Sequence, residues 1–215
     1  RYKCAIMILG LTGNFGSGKS TVAEMFKELG CKAVNDKWVN DKVANVGVSV
    51  NVNIIDADKI GHRLLNGECY KEVINEFGSD ILDYDLKIDR EILREIVFND
   101  RSKLKKLEQI LHPKMLSEVE LELRRLDTKH SIVIIEAAIL IELGLLGLID
   151  KLIVVICKRQ LERIKISEEE FNSILDAQMH ESTLEAKADF VIDNNGTLDN
   201  TRKQVEEIWE KIKLD

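Results

Sequence analysis

Residues Gly13 to Ser20 read Gly-Asn-Phe-Gly-Ser-Gly-Lys-Ser. The pattern G-x-x-x-x-G-K-[ST] is complete. Gly13, Gly16 and Gly18 permit backbone turns that a side chain forbids. The N–H groups of such a loop, with those of a following helix, converge on anionic oxygens. Candidate phosphate-binding residues are therefore Gly13, Asn14, Gly16, Ser17, Gly18, Lys19, Ser20 and Thr21. Lys19 has the reach to meet β- and γ-phosphates, and a hydroxyl such as Ser20 sits on a magnesium ion in loops of this kind. The context agrees. Ala5-Ile6-Met7-Ile8-Leu9 is an apolar run of strand length, and Val22, Met25, Phe26 and Leu29 follow at helical spacing. The competing reading is a glycine turn before an ordinary helix.

Carboxylates come next. Ile54-Ile55-Asp56-Ala57-Asp58 closes a candidate strand with two acidic residues. Strand ends of a parallel sheet open into the ligand cleft. A carboxylate there can take the proton of an attacking hydroxyl. Spacing alone equally allows Asp58 to cap a helix over Lys59 to Leu65. Glu136 closes the run Ile132 to Ile135. It can hold magnesium through water, opposite Ser20, or pair with a surface lysine. His112-Pro113 falls inside the helical pattern Ser102 to Leu126, where proline marks a break or a start. His112 itself reads as a capping or core histidine as readily as a functional one.

The elements that must position these groups alternate. Strands are expected over Ile6–Leu11, Val52–Asp56, Ile132–Ile135, Leu152–Ile156 and Phe190–Ile192. Helices are expected over Ser20–Leu29, Asp58–Leu65, Cys69–Phe77, Asp89–Asn99, Ser102–Leu126, Gln160–Ile164, Glu168–Met179 and Leu198–Ile212. Apolar strands separated by helices imply an α/β fold, a parallel sheet covered on both faces. The stretch from Asp58 to Lys129 offers no strand. It reads as a helical insertion that builds a second substrate site, or as a plain helical layer on the sheet. Val34-Asn35-Asp36-Lys37 recurs as Val39-Asn40-Asp41-Lys42, and Val50-Asn51-Val52-Asn53 follows. Such alternation suggests a hairpin or surface loop between the first helix and the second strand.

Composition narrows the class. The chain has 215 residues, 31 Lys plus Arg against 38 Asp plus Glu, and a net charge of −7. One core fits that length. The acidic balance disfavours a nucleic-acid partner. The most apolar stretch, Ile132 to Leu148, is too short to span a membrane and carries Glu136 and Glu142. No secretory pattern opens the sequence. The four cysteines (Cys4, Cys31, Cys69, Cys157) form no C-x-x-C pair. They read as reduced thiols of a cytoplasmic protein rather than a zinc site. No obligate protein partner is evident.

Together these pieces resemble the dephospho-coenzyme A kinase family. The matching segments are Leu11 to Thr21, Asp56-Ala57-Asp58-Lys59-Ile60-Gly61-His62, Asp89 to Phe98, Leu104 to Pro113 ending in Leu-His-Pro, Glu136 to Glu142, and Ala188 to Thr197. They keep the family's order and span nearly the whole chain. The resemblance implies a P-loop kinase of three α/β/α layers with a five-stranded parallel sheet. It implies one domain over residues 1–215: a core of about 1–57, 128–157 and 188–215, a helical substrate subdomain of about 58–127, and a lid region of about 158–187. The implied reaction moves the γ-phosphoryl of ATP, with Mg²⁺, to the ribose 3′-hydroxyl of dephospho-CoA. Asp58, Lys19 and Arg163 are then the candidate catalytic residues. Asp56, His62, Arg94 and His112 face the acceptor. Asn194 lies near the adenine, and Ser20 and Glu136 hold the metal.

Departures stand out. The family reaches Asp-Ala-Asp soon after Leu29-Gly30, so Asp36 has the usual spacing while Asp58 has the usual motif. The contiguous match favours Asp58. The lid is shortened. Gln160-Leu161-Glu162-Arg163 fits its start, but Ile164 to Ser167 runs directly into the next helix and a second arginine is missing, with Arg163, Lys165 or Lys158 as substitutes. The segment Met179 to Lys187 has a single lysine. Ala138 stands where the family often has proline. The alternatives are a nucleotide-binding module with little kinase activity and a nucleoside monophosphate-type kinase.

Overall fold

The computed structural model describes residues 7–32, 51–126, 131–158 and 166–212. Among the described residues there are five strands, each within one residue of its expected bounds: β1 (Met7–Thr12), β2 (Asn51–Asp56), β3 (Ser131–Glu136), β4 (Lys151–Ile156) and β5 (Phe190–Asp193). They form one sheet in the order β2-β3-β1-β4-β5, and every adjacent pair is parallel. Parallel strands share one carboxyl edge. Register places Leu11 beside Glu136 and Glu136 beside Asp56, so the phosphate-loop strand and two acidic strand ends meet at that edge.

Eight helices surround the sheet among the described residues: α1 (Lys19–Lys32), α2 (Ala57–Leu65), α3 (Tyr70–Phe77), α4 (Arg90–Phe98), α5 (Arg101–Arg125), α6 (Glu168–Ala177), α7 (Glu181–Glu185) and α8 (Leu198–Ile212). Strand side chains alternate between two cores, as a period of two requires. Ile132 and Ile134 of β3 pack with Phe26 of α1 and Trp209 of α8. Those two rings lie 6.4 Å apart, tilted. Val133 and Ile135 pack with Ile60, Leu93, Met115 and Leu184 on the other face. The three-layer expectation holds. Helices α2 to α5 join the second core directly, so they are a layer on the sheet whatever else they bind.

Local chemistry starts the helices. Asp89 accepts from the N–H of Glu91 and Ile92, Asp100 from Ser102 and Lys103, and Ser167 from Glu170. Each satisfies N–H groups that a helix start leaves unpaired. Two expectations need correction. Helix α5 does not break at Pro113; it runs unbroken for 25 residues. An interior proline costs about 3 kcal/mol. Burial of Leu111, Met115 and Val119 offsets it, at roughly 1.5–3 kcal/mol per side chain. The α2–α5 contact is close, since a Cβ on Gly61 would lie 3.1 Å from Met115 Sδ. Second, Asn51, read with the Val/Asn alternation as loop, pairs with Ser131 and opens β2 one residue before the expected strand. The rest of that repeat and the expected helix Gln160–Ile164 lie outside the described residues. No described helix is long and apolar enough to cross a membrane.

Candidate active site

The glycine loop connects β1 to α1, and its shape has local causes. A Cβ on Gly13 would stand 2.2 Å from the carbonyl oxygen of Val155, so β1 and β4 converge only because that atom is missing. Gly16 and Gly18 have φ of +79° and +96°, backbone that side chains resist. Within the loop, the Ser17 N–H donates to Asn14 O at 3.1 Å. The Asn14 Oδ1 and Ser17 Oγ atoms are buried with no hydrogen-bond partner among the described residues. From across the sheet, the Asn194 amide donates to Ser17 O at 2.8 Å and accepts from the Thr201 hydroxyl at 2.8 Å. The resemblance put Asn194 near an adenine. Its side chain is buried and engaged at both ends, so here it holds the loop's backbone.

Lys19, the first residue of α1, is 8 % exposed. Its ammonium donates to Gly13 O at 3.0 Å and Asn14 O at 3.4 Å. Burial pushes it below the ordinary lysine value. Three carboxylates oppose that push, Asp58 first, then Glu136 and Asp56. Burial likewise lifts Asp58 above the ordinary carboxylate range, with Lys19 and the Ala138 N–H pulling it back. The Ala138 N–H donates to both Asp58 oxygens, at 3.3 and 3.4 Å. A proline there could not donate. Asp58 therefore faces Lys19 and does not cap α2. The cap is Asp56, which accepts from Lys59 N–H at 2.9 Å and pairs with Lys59 Nζ at 2.9 Å. Helix α2 starts at Ala57, two residues earlier than the reading that gave Asp58 the cap, and the cap is Asp56. Asp36, the other candidate base, lies outside the described residues, as do Arg163 and Lys165.

Ser20 follows Lys19, and its hydroxyl donates to Glu136 Oε1 at 2.5 Å. Glu136 is 5 % exposed. Burial lifts its carboxyl, the Ser20 bond lowers it, and Asp56 lifts it further. A cleft of about 480 Å³ opens beside this pair, bordered by Ser20, Asp56, Lys59, Arg63 and Glu136. A hydroxyl and a buried carboxylate beside open space suit a hard cation that keeps most of its oxygens from water or phosphate. Thr21 is exposed on α1.

A cationic group lies on the helical side. Loss of water pushes His62 below its ordinary value, and Arg90 then Arg94 act in the same direction. Arg90 is held down by loss of water and by Arg94. Arg90 and Arg94 are four apart on α4, hence on one face. The sequence reading singled out Arg94 and passed over Arg90, although that spacing was visible. Arg94 donates to Glu170 of α6 at 2.9 Å. His112 is half-buried within α5, its ring pushed toward neutrality by burial. It makes no hydrogen bond among the described residues.

Known proteins match this arrangement over nearly its full extent. The dephospho-CoA kinase family model matches residues 7–49 and again 39–200, the two matches overlapping where the Val-Asn-Asp-Lys quartet recurs. A dephospho-CoA kinase of Aquifex aeolicus is 38% identical over 96% of this chain and 98% of its own. A Campylobacter jejuni dephospho-CoA kinase structure superposes with a TM-score of 0.64 at 28% identity, covering 96% of each chain. A Thermus thermophilus structure reaches 0.72 at 26% identity, covering 97% of this chain and 98% of its own. With the phosphate loop, the two acidic strand ends and the helical layer all in the matched region, the chain belongs to the dephospho-CoA kinase family.

Proposed function

We propose that the protein transfers the γ-phosphoryl group of ATP to the ribose 3′-hydroxyl of dephospho-CoA. The observation that carries it is the apposition of buried Lys19, at the mouth of the glycine loop, with Asp58 in the first turn of α2, whose backbone partner is Ala138 N–H just past β3. The loop N–H groups and the start of α1 receive the β- and γ-phosphates. Lys19 leaves the carbonyls of Gly13 and Asn14 and neutralises the charge that develops on the transferred group. Asp58 accepts the proton of the attacking hydroxyl. Its raised affinity for protons brings it nearer to a working base at neutral pH. The Ala138 N–H keeps both its oxygens oriented. His62, Arg90 and Arg94 meet the acceptor's anionic diphosphate, and His112 and Asp56 shape the same side. Ser20 and Glu136 would hold Mg²⁺, which neutralises phosphate charge when bound. Positioning and electrostatics do the work, since phosphoryl transfer asks little covalent chemistry of the protein. ATP chemistry and reduced, buried Cys69 and Cys157 suit a cytoplasmic setting.

A coupled ADP-release assay tests this with dephospho-CoA and with a panel of nucleoside monophosphates. Turnover should follow dephospho-CoA. Preferred turnover of a monophosphate, or ADP binding without any transfer, would contradict it.

A further inference from the structure

The crown of the phosphate loop is held from an unexpected side. The Phe15 N–H donates to Gln178 Oε1 at 2.9 Å, across 163 residues of chain. Phe15 sits between Asn14 and Gly16, at the loop's apex rather than at the α1 end. The donor is a backbone N–H, so the Gln178 carbonyl oxygen must face it.

Gln178 is itself firmly placed. It is the C-cap of α6, and its own N–H donates to Leu175 O at 3.0 Å. The next N–H, of Met179, donates to Glu142 Oε1 at 3.2 Å. The amide thus reaches the loop from a backbone fixed on both sides. At the opposite end of α6, Glu170 holds Arg94. Eight residues separate Glu170 from Gln178, about 12 Å of helix. One short helix therefore touches both the acceptor-side arginine and the donor loop.

The Lys19 bonds at the crown use an ammonium that a phosphate also needs. The Lys19 ammonium now ties Gly13 O and Asn14 O together. An arriving phosphate competes for that ammonium. Asn194 holds Ser17 O, two residues beyond Phe15. Gln178 takes up the Phe15 N–H at the apex, so that one loop donor is aimed at the amide at the end of α6.

We propose that Gln178 is a positioning residue of the donor site, keeping the Phe15 apex of the phosphate loop in its nucleotide-ready shape. It acts through the loop backbone and touches no reacting atom. The inference rests on a nucleoside di- or triphosphate as the loop's ligand.

The test compares Gln178→Met, which keeps shape without an acceptor, with Gln178→Glu, which keeps an acceptor oxygen. ADP affinity is read by calorimetry, and KM for ATP and for dephospho-CoA by steady-state kinetics. Loss of one net hydrogen bond predicts about 3- to 10-fold weaker ADP binding and higher ATP KM in Gln178→Met. Dephospho-CoA KM should stay within about two-fold, within ordinary scatter for a contact not made. Gln178→Glu should recover part of the loss. Unchanged ADP affinity in Gln178→Met overturns the proposal. So does an equal rise in both KM values, which would mean general loosening. Should Gln178→Met fail to fold, amide exchange of Phe15 in the unaltered protein decides, because an unprotected Phe15 N–H rules the bond out. The ADP measurement does not depend on the acceptor, so absence of dephospho-CoA turnover would sink the function above and leave this test standing.

Discussion

Replacing Asn194 should damage the phosphate loop from a distance. Asn194 is 3 % exposed, and its amide donates to Ser17 O and accepts from Thr201 Oγ1. In Asn194→Ala the Thr201 hydroxyl keeps Thr197 O, 3.3 Å away, so its loss is small. The Ser17 carbonyl loses its amide donor inside the protein. An unsatisfied buried acceptor costs about 1–3 kcal/mol, and the small cavity adds about 1 kcal/mol, for roughly 2–4 kcal/mol in all. In a domain of this size that is a melting-point drop of roughly 5–15 °C. Asn194→Asp separates hydrogen bonding from packing. The new carboxylate fits the space, but when ionised it sets an acceptor against Ser17 O. Burial and the facing carbonyl raise its folded-state pKa above the unfolded value. The folded state then binds more protons, so stability is present at low pH and lost as pH rises through the raised pKa. Urea denaturation of both variants across pH 4 to 8 is the assay, with ADP affinity measured in parallel. Asn194→Asp should gain on Asn194→Ala as the solution is acidified. Variants as stable as the parent, with unchanged ADP affinity, would refute the claim that Asn194 supports the loop.

Three further outcomes follow from the site. Burial raises Asp58 in the folded state, so its ionised form costs stability, present below the ordinary carboxylate pKa and lost as pH rises. Asp58→Asn should thus melt higher than the parent at pH 7, with the gap closing on acidification. An Asp58→Asn protein less stable at pH 7 would contradict it. Ala138→Pro removes an N–H that lowers Asp58, so the acidic limb of the kcat profile should move to higher pH; a limb that stays put would dismiss that bond. Glu170→Gln frees Arg94 from a partly exposed ion pair worth about 0.2–1 kcal/mol, so dephospho-CoA KM should fall by up to roughly five-fold. A raised KM would show that Glu170 assists the acceptor.

The sheet was legible because its strands are short, wholly apolar and bounded by turn or cap residues. Ile132 to Ile135 can only be a strand buried on both faces. The starts of the helices expected from Asp89 and Glu168 fell within one residue of the observed ones, where Asp89 and Ser167 take up free N–H groups. Strand order was not, because β2-β3-β1-β4-β5 is set by long-range packing that no window contains. Pro113 misled for a related reason. A local rule forbids it mid-helix, and burial of its neighbours overrides that rule. Asp58 kept the place the motif gave it, and the alternative cap reading failed because α2 starts at Ala57, two residues earlier, which makes Asp56 the cap. Arg90 and Gln178 escaped notice since each gains meaning only from what lies across the fold.

Single-turnover transfer from ATP to dephospho-CoA, compared between the parent chain and Asp58→Asn, bears most directly on the central claim. Parent protein should yield the 3′-phosphorylated product. Asp58→Asn should bind ADP as tightly as the parent while its transfer rate drops by about 10²-fold or more, the usual scale for losing a general base. Equal rates in the two proteins would mean that the carboxylate facing Lys19 does not receive the hydroxyl proton.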